Sequence, residues 1–248
     1  MTSARSAPVR VILLDVEGTT TPLDFVYQVL FPYARSHAQE FLERHGRAPD
    51  VQRDLNALRQ ENLDDARRGL DPPALPSDGA NESLGTYMEW LIERDRKSTA
   101  LKSLQGRIWE EGYRRGELRS QVFEDVPPAL QRWHEHKRTV SIFSSGSILA
   151  QKLLFGHTEA GDLTRYLSSY FDTTAGSKTD PGSYQKIAAV LESSTAETVF
   201  ISDVTRELDA AKAAGLHTFL CLRPGNRTQP SNTYEAIRSF AEVDAADD

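Results

Sequence analysis

Three short apolar runs, each ending in a polar cluster, set the strongest limit on what this chain can fold into. Val9-Arg10-Val11-Ile12-Leu13-Leu14 leads into Asp15-Val16-Glu17-Gly18-Thr19-Thr20-Thr21. Val140-Ser141-Ile142-Phe143 leads into Ser144-Ser145-Gly146-Ser147, and Thr198-Val199-Phe200-Ile201 into Ser202-Asp203. Runs this short, β-branched and almost wholly apolar suit strands buried on both faces of a parallel sheet. His217-Thr218-Phe219-Leu220-Cys221-Leu222 reads as a fourth. Helices fall between them. Pro181 follows Thr179-Asp180 at a first helical position, and Tyr184, Ile187, Ala188 and Leu191 recur at the spacing of a core-facing stripe. A further helix from about Thr205 to Ala214 stops at Gly215, which suits a left-handed cap. This alternation, from about residue 126 to 222, predicts a doubly wound α/β core with its ligand beyond the carboxyl ends of the strands.

The stretch from 22 to 122 breaks the rhythm. Thr21-Pro22-Leu23-Asp24 resembles a capping box, followed by a long helical pattern through Phe25, Val29, Leu30 and Phe41. Helical patterns follow around 50–62, 82–96 and 99–115, with an evident loop over 71–79. A βαβ crossover needs only about 10–12 residues, yet roughly 130 positions separate Asp15 from Ser144. The expected organisation is therefore a core of residues 8–21 and 123–240, with a helical cap domain over 22–122 inserted after the first strand. The tail Ala245-Ala246-Asp247-Asp248 is expected to fray.

Composition narrows the function classes. One cysteine, Cys221, cannot form an intramolecular disulfide or a cysteine-rich zinc site, which points to a reducing compartment. The aliphatic run Val11 to Leu14 stops at Asp15, too short for a secretory or membrane segment, so a soluble cytoplasmic protein is expected. With 29 Lys and Arg against 36 Asp and Glu, the net charge of −7 argues against an extended nucleic-acid footprint and leaves room only for a local basic pocket.

Chemistry concentrates at the strand ends. Asp15 and Glu17, two residues apart, can project to one side, and Gly18 lets the backbone turn sharply; the competing reading is a solvated acidic loop. Ser144 to Ser147 run into a helical stretch, Ile148 to Phe155, so hydroxyls and free N–H groups together make an anion site; Ser147 by itself reads as an ordinary N-cap. Asp203 ends the third strand with Glu207 four residues on, and acids at two strand ends can share one Mg²⁺. Lys178 is a lone lysine that composition alone would leave on the surface. His134 and His136, at i and i+2, face different ways on a helix and make a poor metal pair. His157 and His217 read as structural, Cys221 as an inert core thiol, and Trp90, Trp109 and Trp133 as helix packing. Tyr27 and the run Glu93-Arg94-Asp95-Arg96-Lys97 are candidates to face a substrate, the charge run more simply a solvated helix face.

This order, Asp-x-Glu-Gly-Thr after strand one, Ser after strand two, an isolated Lys before a helix and Asp after the next strand, is similar to the haloacid dehalogenase superfamily of phosphotransferases. The closer match is its enolase-phosphatase, or acireductone synthase, branch. Leu13 to Pro22, Ser144 to Ser147, Gln151-Lys152-Leu153-Leu154-Phe155-Gly156-His157, Ser202-Asp203-Val204-Thr205-Arg206-Glu207 and Arg223-Pro224-Gly225-Asn226 all resemble that branch, over roughly residues 9–240. Glu17, where most superfamily phosphatases have Asp, is itself a mark of it.

The resemblance implies a set of roles. Asp15 is the nucleophile that forms an aspartyl-phosphate, Glu17 the acid and base, and Lys178 a catalytic and phosphate-neutralising cation. Ser144 and Ser145 hold phosphoryl oxygens. One Mg²⁺ per subunit rests on Asp15, Asp203 and the Glu17 position, there through its main-chain carbonyl, with Glu207 bracing the site from behind. The implied substrate is 2,3-diketo-5-methylthiopentyl 1-phosphate, a small phosphorylated diketone of methionine salvage, which is enolised and then dephosphorylated to an acireductone by a monomer with no nucleic-acid or membrane partner. The alternatives are a phosphatase or phosphomutase for another small metabolite, a dehalogenase, and a non-catalytic binding protein. Glu17 weighs against a dehalogenase, because halide leaves unprotonated. The complete set Asp15, Glu17, Ser144, Lys178 and Asp203 weighs against a dead scaffold.

Overall fold

The computed structural model describes residues 8–75, 81–94, 96, 98–226 and 234–246. In chain order the elements are β1 (Val11–Leu14), α1 (Leu23–Phe25), a π-helical turn (Val26–Leu30), α2 (Phe31–His45), α3 (Pro49–Arg67), α4 (Asn81–Glu93) and α5 (Thr99–Arg114). There follow α6 (Val126–Glu135), β2 (Thr139–Phe143), α7 (Ile148–Gly156), β3 (Ser169–Phe171), α8 (Pro181–Val190), β4 (Thr198–Ser202), α9 (Thr205–Ala213), β5 (His217–Cys221) and β6 (Glu235–Ile237). The chain separates into two compact units, Met1–Val26 with Arg119–Asp248, and Tyr27–Leu118.

The first unit is an α/β layer structure around a six-stranded sheet of order β3-β2-β1-β4-β5-β6, in which the described strands pair in parallel. Val11 of β1 registers against Thr139 of β2 on one side and Thr198 of β4 on the other, so the three strands end level. The order reverses at β1, which makes its carboxyl end the place where an open α/β sheet leaves a crevice. Alternate side chains divide between the faces. Leu13 packs with Phe143, Phe200, Leu220, Tyr184 and Leu208. Ile12 and Leu14 pack with Ile142, Ile201, Phe155 and Trp133 on the other side. Burying each such side chain contributes about 1.5–3 kcal/mol, which is why the strands at the centre are so uniformly apolar.

The second unit consists of α2, α3, α4 and α5, with α2 against α4 and α5, and α3 against α4 and α5. Trp90 and Trp109 are buried within it, and the Trp109 indole N–H donates to Leu30 O at 2.8 Å. Among the described residues no helix is long and apolar enough to cross a membrane.

Several local expectations change. The capping box at Thr21 is absent: α1 has no side-chain cap, and the Thr21 hydroxyl is buried without a partner. Thr21 is committed instead to a tight turn, where its carbonyl accepts the Gly18 N–H at 2.8 Å and it bridges to Glu17. The long helical pattern is interrupted by the π turn just before Pro32, the residue that lacks an N–H to continue a regular ladder. Strands β3 and β6 are missed in the sequence because each has three residues, too few to show a period. The expected loop over 71–79 is irregular through Leu75, and the remainder lies outside the described residues. In the charge run, Arg96 is not simply solvated: it pairs with the fully buried Asp65 at 2.7 Å, while Asp95 and Lys97 lie outside the described residues. A 3₁₀ segment, Phe240–Ala246, takes in Ala245 and Ala246 of the tail that the sequence reads as frayed; Asp247 and Asp248 lie outside the described residues.

Candidate active site

The first turn after β1 is built by one carbonyl. Val16 O accepts the N–H groups of Thr19, Thr20 and Thr21 at 3.0–3.2 Å, folding the chain back so that Gly18 sits at φ +75°. Such a φ suits glycine and strains other residues. Asp15, 3% exposed, stands at the head of this turn. Its Oδ1 accepts from Val16 N–H at 2.8 Å and from Lys178 Nζ at 2.5 Å, and its Oδ2 from Ser202 Oγ at 3.1 Å.

Lys178 is not the surface lysine that composition suggests. Its side chain is only 10% exposed and its ammonium lies 2.5 Å from both Asp15 Oδ1 and Glu207 Oε2. Burial alone would lower its pKa, but the charges of Asp15 and Glu207 outweigh that and raise it, so it stays a cation. Glu207, 15% exposed at its side chain, is pushed up to about 7 by burial and then by Asp15. Ser202, fully buried, joins the two acids: its hydroxyl lies 3.1 Å from Asp15 Oδ2 and 3.0 Å from Glu207 Oε2 and accepts the Val204 N–H. With one proton it can donate to only one of them at a time.

Glu17 approaches from the same turn. Its Oε2 accepts from Ser144 Oγ at 3.2 Å, and burial followed by the charge of Asp15 raises its pKa. Ser144 is 1% exposed and its oxygen also accepts the Gly146 N–H at 3.0 Å. Ser145 is half-buried in the same loop, and Ser147 caps α7 by accepting the Ala150 N–H. Asp203, 8% exposed, is anchored by its N–H to Thr19 Oγ1 at 3.1 Å, and its carboxyl is pushed up to about 7 by burial and then by Asp15.

Thus Asp15, Glu17, Ser144, Lys178, Asp203 and Glu207 converge at the carboxyl ends of β1, β2 and β4, although up to 192 positions apart in sequence. The donor set fits a hard divalent cation. Asp15 and Asp203 could supply carboxylate oxygens, and the Gly18 backbone lies so close to Asp203 that a Cβ there would sit 2.4 Å from Oδ2. Among the described residues no cation forms an ion pair with Asp203, and no group of three or more His, Cys, Asp or Glu side chains is arranged for a metal. A cation here would therefore take two carboxylates with main-chain and water oxygens, the habit of Mg²⁺.

Sequence reasoning left out some supports. Ser202 is one, although it stands beside Asp203. Tyr184 is another: its hydroxyl donates to Lys178 O at 2.7 Å and so ties down an otherwise irregular loop. Arg223 donates to Thr19 O at 3.1 Å and pairs with Asp125 at 2.9 Å, while Asn226 donates to Gly18 O at 2.8 Å. The last two lie in a stretch noted only as a motif. Cys221 is a buried thiol, pushed up to about 12 mainly by burial.

A family model described as haloacid dehalogenase-like hydrolase matches residues 9–215. The enolase-phosphatase E1 of Synechococcus elongatus is 50% identical over 234 residues, covering 94% of this chain and 96% of that protein. The chain belongs to the enolase-phosphatase E1 family of these hydrolases. The family's protein from Pseudomonas syringae is 41% identical over 239 residues, covering 96% of this chain and 99% of its own. A probable bifunctional methylthioribulose-1-phosphate dehydratase/enolase-phosphatase E1 of Arabidopsis thaliana is 44% identical, and this chain spans 49% of its length. In three dimensions the crystal structure of the UTR4 protein of Saccharomyces cerevisiae superposes with a TM-score of 0.74 at 32% identity, covering 93% of this chain and 98% of that one.

Proposed function

We propose that this enolase-phosphatase acts on 2,3-diketo-5-methylthiopentyl 1-phosphate, enolising it and then removing its phosphoryl group to leave an acireductone. One observation carries the phosphatase chemistry: a buried aspartate at the end of the central strand, with a lysine 2.5 Å from its Oδ1 and a protonatable glutamate two residues on. Asp15 attacks phosphorus, forming a P–O bond to its carboxylate as the bond to the substrate oxygen breaks. Glu17, its pKa raised, delivers the proton to that oxygen. As a carboxylate it then takes a proton from the water that attacks the phosphoryl-aspartate, which regenerates Asp15 and frees phosphate. Ser144 Oγ and the Ser145 N–H are assigned to phosphoryl oxygens, and Lys178 to their charge.

The charge balance of the site explains why a cation belongs in this reading. Four carboxyl groups, Asp15, Glu17, Asp203 and Glu207, surround one ammonium, Lys178. An acidic site of this kind repels a phosphate ester until a divalent ion offsets it. Asp15, Asp203 and the Glu17 main chain are assigned to one Mg²⁺ per subunit, which when bound would neutralise phosphoryl and enolate oxygens. Glu207 steadies Lys178 beside it. Since these groups all lie in the unit containing the sheet, the helical unit Tyr27–Leu118 is assigned the role of a cap that selects the substrate. The protein is read as a cytoplasmic monomer.

The deciding assay supplies the diketo phosphate with and without Mg²⁺ and follows both the ultraviolet change of enolisation and the release of phosphate. Both signals are expected with Mg²⁺, both lost after EDTA, and both restored on adding Mg²⁺ back. Phosphate release from simple esters with no turnover of the diketone would overturn the substrate; full activity after exhaustive chelation would overturn the metal.

Gly18→Ala tests the close approach at the turn. A methyl group on a residue at φ +75°, 2.4 Å from Asp203 Oδ2, must displace that carboxylate. The expected cost is about 1–3 kcal/mol in urea unfolding, with turnover down roughly 10²-fold. Unchanged kinetics would show that the site tolerates a shifted Asp203.

A further inference from the structure

Gln151 lies in the first turns of α7 and is only 2% exposed, yet no step of the chemistry uses it. Its Nε2 donates to two carbonyls from separate segments, Gly146 O at 2.8 Å and Phe171 O at 3.0 Å. The Phe171 carbonyl, at the end of β3, also accepts the Ser144 N–H at 3.1 Å. Both polar groups of Gly146 are thereby engaged, its N–H on Ser144 Oγ at 3.0 Å and its carbonyl on Gln151. The main-chain N–H of Gln151 holds Ser147 O at 3.0 Å as part of the helix start. By contrast, the Gln151 Oε1 is buried with no hydrogen-bond partner. An orphaned acceptor opposes folding, and an apolar side chain of the same length would avoid it. What a glutamine adds at this position is its pair of amide donors, one on the loop that carries Ser144 and the other on the β3 carbonyl that also holds the Ser144 N–H.

We propose that Gln151 is a positioning residue for the phosphoryl-binding loop Ser144–Ser147, a role that rests on reading this loop as the anion site. It ties Gly146 to the end of β3 and so fixes where the Ser144 hydroxyl and the Ser145 N–H point. Removing its donors frees the Gly146 peptide to rotate, and the loop must then be ordered by the phosphoryl group when it binds.

The test compares Gln151→Met and Gln151→Glu with the native protein and with Ser144→Ala, using inorganic phosphate as a competitive inhibitor. Methionine keeps the length and removes both the donors and the orphaned oxygen; glutamate keeps the shape and, protonated by burial, has one donor at most for the two carbonyls. The phosphate inhibition constant and KM are expected to rise by about tenfold in both Gln151 variants, with kcat within about threefold, since weakened phosphate binding affects ground and transition states alike. The thermal midpoint of Gln151→Met should fall by no more than about 4 °C, separating this loss from simple unfolding. Ser144→Ala should weaken phosphate as well. Native phosphate affinity in either Gln151 variant, while Ser144→Ala is impaired, would overturn the positioning role alone. Native affinity in all three would overturn the anion-site reading with it.

Discussion

Asp15→Asn is expected to lower phosphate release by about 10⁴-fold or more while the protein stays folded. The amide keeps the size of the side chain; its one oxygen can still accept from Lys178, and its NH2 meets the Ser202 hydroxyl, which can turn to accept. What it lacks is the anionic oxygen that attacks phosphorus, and losses of a nucleophile fall in this range. Circular dichroism and the thermal midpoint should change little, because β1 remains buried between β2 and β4. Near-normal turnover in pure Asp15→Asn protein would remove Asp15 from the chemistry.

The second large effect is expected at Glu17. Glu17→Gln keeps an acceptor for the Ser144 hydroxyl, but it can neither deliver nor take up a proton. Turnover of the diketo phosphate should fall by roughly 10²–10⁴-fold, the contribution typical of a positioned acid and base. An aryl phosphate whose leaving group departs as a stable phenolate needs no acid in the first step, only a base in the second. The variant should therefore release one equivalent of phenolate in a burst and then turn over slowly. Mg²⁺ affinity should be nearly native, because the Glu17 side chain is not assigned to the metal. Native steady-state rates would dismiss the proton-transfer role, and a matching loss of Mg²⁺ affinity would make the carboxylate a ligand.

Much of this cluster could be read from the sequence because its members follow directly on regular structure. Asp15, Ser144 and Asp203 each stand immediately after an apolar run that becomes β1, β2 or β4, and a parallel sheet brings such positions to one edge. Lys178 is different. Nothing local marks it, since it lies in an irregular loop and is recruited by the charges of Asp15 and Glu207 and by the Tyr184 hydroxyl, contacts that exist only after folding. The resemblance to a family located it, not its composition. Ser202 and Gln151 stand in the sequence motifs without a role for the same reason: a serine or glutamine shows no periodicity, and the role of each depends on which carbonyls and carboxylates fold against it. Local signals failed where a competing interaction was stronger. Thr21 has the look of a helix cap, yet the turn that positions Glu17 claims its backbone first.

The net charge of −7 takes on a sharper meaning at this site. The acidic excess is not held away from this cluster, since four carboxyl groups crowd around Lys178. Burial and mutual repulsion raise Glu17 and bring Asp203 and Glu207 to about 7. Such a centre favours a bound cation and a ready proton donor, and a phosphomonoester cleaved through a carboxylate needs both.

The most direct test of the central claim, that Asp15 carries the phosphoryl group, is a rapid acid quench of Glu17→Gln protein mixed with an aryl phosphate labelled in its phosphoryl group. Close to one label per chain is expected within the burst, released by hydroxylamine as an acyl phosphate is, mapped to the peptide containing Asp15, and absent when Asp15→Asn is added. A phenolate burst with no label on the protein, or label on any other residue, would contradict it.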